Sequence, residues 1–177
     1  MKRMLGAVIL GGLLVASVPG LAGAQSRGSI SLGAGANIPI GDFGDVAKIG
    51  WLGQVAGMIT FGDGMLGVRV NGTYGQNSGE AEGSGKVKFI GAMGDVVVSP
   101  RTAGNLSPYV LAGAGFVNAK NGASETDFGW NAGAGIKAGS GKVGFYVEAR
   151  FLQVRSEGSS TNMIPVTAGV RISAGGN

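Results

Sequence analysis

Apolar and polar residues alternate along most of this chain. In the segment 29–40, Ile30, Leu32, Ala34, Ala36, Ile38 and Ile40 fall on one face and Ser31, Gly33, Gly35 and Asn37 on the other. That period of two belongs to a strand whose two faces meet different media. It recurs in 51–61, with Trp51, Val55, Ile59 and Phe61 against Gln54 and Thr60, and in 65–75, with Leu66, Val68, Val70 and Tyr74 against Arg69, Asn71 and Thr73. It returns in 127–138 (Phe128, Trp130, Ala132, Ala134 and Ile136 against Asn131 and Lys137) and in 162–173 (Ile164, Val166, Ala168, Val170 and Ile172 against Thr167 and Arg171). Two segments are less regular. In 86–98, Ile90, Ala92, Val96 and Val98 oppose Phe89, Met93 and Asp95, and 108–118 reads equally as a Val110/Ala112/Ala114/Phe116 face or a Tyr109/Leu111 face. With 144–154, "GFYVEARFLQV", the candidate strands number eight.

An even number of antiparallel strands suits a small closed barrel. The connections support one that crosses a membrane. Those after strands one, three, five and seven, "GDFGDVAKIG", "QNSGEAEGSG", "AKNGASET" and "SEGSSTN", are long or polar, whereas "GDG" and "GSGK" after strands two and six are tight and "PRTAGNLS" is intermediate. Long loops at one end and short turns at the other is the asymmetry of outer-membrane barrels. The segments 76–85 and 119–126, polar and without alternation, are expected to be mobile external loops. The predicted fold is therefore all-β, an eight-stranded antiparallel up-and-down transmembrane β-barrel.

A soluble barrel would show the same alternation with its apolar side inward, and charge decides between the two. The polar faces are mostly Gly, Ser, Asn and Thr, and the mid-strand charges are Arg69, Asp95, Lys137, Glu148, Arg150 and Arg171. A wet outer face would carry many more. A base on the lipid face near the midplane costs about 2 to 4 kcal/mol, so these six residues are expected to turn inward as a structural lumen charge network, Glu148 and Asp95 lying among the four bases.

The N-terminus reads Met1-Lys2-Arg3, an apolar stretch over 5–18, Pro19, and the small residues Ala22-Gly23-Ala24. That is the layout of a secretory signal peptide. Residues 1–24 are accordingly a cleaved signal and 25–177 the barrel domain. Removing Lys2 and Arg3 leaves 12 basic residues against 10 acidic ones, so most of the apparent basicity disappears. No basic cluster with interleaved aromatics argues for nucleic acid. Glycine supplies 37 of 177 residues, roughly three times the average of about 7%. The repeated "AGAG" at 112–115 and 132–135, with "GAGA" at 33–36, reads as small residues at narrow lumen positions and as relief for strong curvature.

The chain has no Cys and no His, which excludes thiolate chemistry and Ser-His-Asp chemistry. "GSGK" at 83–86 and 139–142 lacks the distal Gly of a phosphate loop, and Val follows each Lys, so both are turn chemistry. The loop acids Asp42, Asp45, Glu80, Glu82, Glu125 and Asp127 read as solvated charge, and the sequon Asn71-Gly72-Thr73 falls mid-strand. No catalytic, cofactor-binding or metal-ligating set emerges.

"SPYVLAGAGF", "GWNAGAGIKAG", "GFYVEARFLQV" and "MIPVTAGVRI" resemble, in this order, the last four strands of the small porin-like outer-membrane β-barrel family, related in architecture to the OmpX and OmpA barrels. The resemblance implies an eight-stranded barrel exported through the periplasm to the cell outer membrane. It also implies contact with outer-membrane lipid and lipopolysaccharide, and with the barrel assembly machinery during biogenesis. Many such barrels end on an aromatic residue, whereas here Ile172 is followed by Ser173-Ala174-Gly175-Gly176-Asn177. The expected function is that of a monomeric, non-enzymatic structural or surface-interaction barrel with a narrow lumen filled by polar and charged side chains. The alternative is a narrow channel or small-ligand-binding barrel, either in the membrane or soluble and lipocalin-like in the periplasm.

Overall fold

A computed structural model describes residues 27–79, 85–100, 104–121, 123–139, 141–156 and 158–174. The expected signal segment 1–24, Glu80 and Glu82, and the last three residues lie outside these ranges. The strands are β1 (Arg27–Ile40), β2 (Gly50–Phe61), β3 (Leu66–Ser78), β4 (Lys86–Val98), β5 (Leu106–Asn121), β6 (Ala123–Ala138), β7 (Val143–Ser156) and β8 (Ser159–Ala174). Each pairs antiparallel with its neighbour, and β8 pairs with β1, so the sheet closes as β1-β2-β3-β4-β5-β6-β7-β8. The β2/β3, β4/β5 and β6/β7 connections share one end with the first and last described residues, hereafter the terminal end. The segment 41–49 and the β3/β4, β5/β6 and β7/β8 connections share the other, the hairpin end.

The outward positions carry the apolar half of the alternation. Ile30, Leu32, Val68, Val70, Val110, Phe116, Ile136, Phe145, Val147 and Ile172 are all exposed. Among the described residues, the charges on outward strand positions are Lys86, Lys88, Lys120 and Arg155, all at the hairpin end. Between them and the terminal end an uninterrupted apolar belt encircles the barrel. On β7 it runs from Val143 to Phe151, close to the roughly 9 to 11 residues a tilted strand needs to cross the hydrocarbon. The ambiguous fifth strand resolves with Tyr109 and Leu111 buried inside and Val110, Ala112, Ala114 and Phe116 outside.

Two expected loops are strand instead. Asn121 pairs with Ala123 and Ser156 with Ser159, so 119–126 and 156–162 belong largely to hairpins that continue beyond the apolar belt. Alternation of apolar residues stops where the belt stops, but backbone pairing needs no apolar face. Polar bonds replace it: Asn118 Nδ2 donates to Thr126 Oγ1 at 2.8 Å and Ser156 Oγ to Asp127 Oδ2 at 2.8 Å. The segment 41–49 folds over the hairpin end. It opens with a single 3-10 turn, Gly41–Phe43, and Ala47 bridges Gly79.

The glycines of the "AGAG" motifs face inward and their alanines outward. Register explains why. Asp95 lies opposite Gly113, Tyr109 opposite Gly135, Arg150 opposite Gly133, Tyr146 opposite Gly169 and Phe89 opposite Gly75. Each large inward side chain thus lies over a neighbour that has none. A Cβ on Gly113 would stand 2.8 Å from the Asp95 Cα, and one on Gly133 2.7 Å from Arg150 Cγ. These inward glycines are therefore interior volume, given up so that large side chains fit inside eight strands. Gly113→Val should lower stability by about 1 to 3 kcal/mol through overpacking, read as a lower urea midpoint of the refolded barrel. The adjacent outward Ala114→Val should shift it by less than about 0.5 kcal/mol.

Candidate functional site

The inward positions form layers. Nearest the hairpin end is an apolar plug of Leu52, Phe89, Met93, Val117, Val154 and Met163, against which Phe43 and Leu152 pack. The lumen is thus not uniformly polar, as its sequence alone led one to expect. Those residues sit on inward positions of β2, β4, β5, β7 and β8. Asn37 and Asn77 brace the hairpin end above them, Asn37 Nδ2 donating to Asn77 Oδ1 at 2.8 Å and Asn77 Nδ2 to the Lys48 carbonyl at 2.9 Å.

Below the plug lies a layer of ions. Arg69 donates through Nη1 to Glu148 Oε2 at 2.6 Å, through Nη2 to Glu148 Oε1 at 3.2 Å, and through Nε to Asp95 Oδ2 at 2.9 Å. Arg150 Nε stands 3.1 Å from Glu148 Oε1, while its Nη groups donate to Asn71 Oδ1 at 3.4 Å and to Gln54 Oε1. The remaining lone pairs are filled by neutral donors: Tyr109 Oη to Glu148 Oε2 at 2.7 Å, Asn71 Nδ2 to Asp95 Oδ2 at 2.7 Å, and Asn131 Nδ2 to Asp95 Oδ1 at 2.9 Å. Glu148 is 1% and Asp95 2% exposed. Carboxylates removed from water to that extent are tolerable only with such a complete set of partners. Six strands, β2 to β7, contribute to the layer.

Four of the six charges singled out from the sequence, Arg69, Asp95, Glu148 and Arg150, meet here. Glu148 faces Arg69 across the barrel in two hydrogen bonds, and Arg150, two residues along its own strand, is the second partner. Lys137 and Arg171 stand apart, towards the terminal end. Lys137 Nζ donates to Ser99 Oγ at 2.8 Å and lies 5.1 Å from the centre of the Tyr109 ring. Val97, Tyr109, Leu111 and Met58 form an apolar cluster beside the ion layer on that side. Sequence reasoning missed Gln54, Asn71, Tyr109 and Asn131 as members of the ion layer, although Gln54, Asn71 and Asn131 did stand on predicted inward faces. Among the described residues no group of three or more His, Cys, Asp or Glu could hold a metal.

The description "outer membrane protein beta-barrel domain" matches residues 8–172 of the sequence. The chain belongs to that outer-membrane β-barrel family. Its location is the outer membrane, and the apolar belt faces lipid. The fold resembles that of Neisserial surface protein A (TM-score 0.67, 15% identity, 82% of this chain and 96% of that one). It also resembles Ail, the attachment invasion locus protein of Yersinia pestis (TM-score 0.55, 20% identity, 84% and 99%), and a major outer membrane protein from Thermus thermophilus (TM-score 0.60, 12% identity, 85% and 100%). No curated protein sequence matches the chain.

For this family member the ion layer predicts a specific ordering of losses. Glu148→Gln leaves Arg69 and Arg150 short of a carboxylate and should cost about 3 to 5 kcal/mol, against the 0 to 1 of an exposed pair. In double-mutant cycles read by urea unfolding, the coupling of Glu148 to Arg69 should exceed its coupling to Arg150.

Proposed function

We propose that this protein is a non-enzymatic structural and surface-interaction barrel whose lumen is sealed and whose hairpin end faces outward from the cell. The observation that carries the reading is the layered filling of the interior. The gap beside the apolar plug, lined by Phe89, Met93, Val117, Asn131 and Arg150 among others, measures ≈ 20 Å³, and a single water needs about 10 to 15 Å³ of such space. That is room for a water, not for a conducting path. Asp95 and Glu148 are the paired carboxylates an acid/base mechanism would need, but both are enclosed and committed to arginines. This favours a structural role for both.

Orientation follows from the rule that outer-membrane barrels keep short turns on the periplasmic side and longer elements outside. With the hairpin end out, the outward pair Trp51 and Tyr74, ring centres 5.6 Å apart, stands at the outer interface where amphipathic aromatics are favoured. Exposed Lys86, Lys88 and Lys120 lie just beyond it, at the height of anionic lipopolysaccharide headgroups. Closure leaves no strand edge to recruit a second copy, which favours a monomer. Residues 1–24 act as the export signal, with the mature chain beginning at Gln25, and the assembly machinery of the outer membrane inserts the barrel.

Purified protein in planar bilayers should give no steady conductance; a stable ohmic conductance in the wild type would overturn the sealed-lumen reading. Protease added to whole cells should cleave between β3 and β4 and leave the turn 62–64 intact. Cleavage at that turn instead would reverse the orientation.

A further inference from the structure

The lumen holds four cations, Arg69, Arg150, Lys137 and Arg171, and two carboxylates, Asp95 and Glu148. Arg69 and Arg150 occupy the carboxylates. Two positive charges therefore remain without an acidic partner among the described residues, and they are not scattered. Lys137 and Arg171 line one cavity of ≈ 30 Å³ at the terminal end, together with Ser29, Ser31, Tyr109 and Tyr146. Arg69 closes it on the side of the ion layer.

The polar groups around this cavity are rich in donors and poor in charged acceptors. Tyr146 is 6% exposed, yet its Oη has no hydrogen-bond partner, and the buried Nε of Arg171 has none either. Lys137 Nζ donates to Ser99 Oγ and lies over the Tyr109 ring. A buried donor left unmade is costly, and two like charges beside a third raise the cost further. Tyr146 holds its place because Gly33 and Gly169 leave room for it: a Cβ on Gly169 would stand 2.7 Å from Tyr146 Cε1. The unpaired hydroxyl is thus fixed by packing on both sides and cannot swing away to find a partner.

We infer that the terminal end of the lumen is a binding site for a small oxyanion of the phosphate class. Lys137 and Arg171 supply its counter-charge, the Tyr146 hydroxyl and Arg171 Nε donate to it, and Ser29 and Ser31 complete the rim. One such anion would offset the positive excess and satisfy the orphaned donors together. The site is independent of the sealed-lumen reading and of which end faces outward, because it opens at the terminal end and the apolar and ionic layers lie behind it.

The test uses inorganic phosphate and the refolded full barrel in detergent, ionic strength being held constant with sodium chloride. Phosphorus NMR line broadening and the urea midpoint are followed as phosphate is added. Wild type should show saturable broadening and a saturable rise in midpoint. Lys137→Gln and Arg171→Gln should each weaken binding about tenfold or more, the loss expected for one charge-assisted hydrogen bond. Both should be at least as stable as wild type without phosphate, since each removes a half-buried charge that has no acidic partner among the described residues. Tyr146→Phe should weaken binding less, and Lys88→Gln, at the opposite end, should not change it. A response that does not saturate, or that is equal in wild type and the Arg171→Gln and Tyr146→Phe variants, is the general salting effect of phosphate and overturns the site. Should Lys137→Gln fail to refold, Arg171→Gln and Tyr146→Phe decide the question by line broadening alone.

Discussion

Closure of the sheet is the constraint on which everything else in this molecule depends. In hydrocarbon no water is available to a backbone N–H or C=O, and each one left unpaired costs several kcal/mol. A sheet can satisfy them all only by joining its first strand to its last, as β1 does with β8 over Gly28 to Ile40. Eight strands then fix the bore, which is just wide enough for side chains to fill. The outward half of each strand must be apolar and the inward half must fit a tube of set width. The alternation of the sequence records the first demand, and the pairing of large residues with glycine records the second.

The bore also explains why buried ions are tolerated here. A lone carboxylate in this interior would carry the full cost of its desolvation, and an apolar residue of the size of Glu148 would pack at lower cost. What makes the carboxylate acceptable is that the closed sheet brings Arg69 of β3 to face it from across the lumen, with Tyr109 of β5 and Arg150 of its own strand on either side. No two neighbouring strands could supply that set. The ion layer is thus a consequence of closure and also a lock on it: a slip of one residue in any of the six contributing strands would turn that strand's member of the layer outward into lipid.

The face of every strand but the fifth was legible in the sequence; the neighbours of each side chain were not. Period two told that Arg69, Asp95, Glu148 and Arg150 share the inward side, because a charge and an apolar run cannot share a face toward lipid. Which of them touch depends on register, set jointly by turn length and by which large residue finds a glycine opposite. That is why Arg69 proves a closer partner of Glu148 than sequence proximity to Arg150 would imply. It is also why Tyr109 was ambiguous: its face holds Leu111, Gly113 and Gly115, and only the Gly135 opposite it shows that the ring lies within. The apolar plug escaped notice for a related reason. Leu52, Met163 and Val154 look like lapses in alternation one strand at a time, and become a plug only when closure brings them into one packed cluster. The hairpin extensions escaped because their pairing rests on backbone and polar bonds that leave no hydrophobic trace.

Layering separates the two ends of the molecule chemically. Between the hairpin end and the terminal end stand an apolar plug, the ion layer, and the Val97, Tyr109 and Leu111 layer, each closed to bulk water and each held by several strands. A substitution in the hairpins can alter what the outer surface contacts without touching any group of the ion layer, and the same holds for the positively charged mouth at the other end. Coupling between the ends would need a packed element with two arrangements, and the filled bore leaves little volume for a second one. A barrel of this construction is free to vary its hairpins because their stability is not what keeps the spanning strands closed.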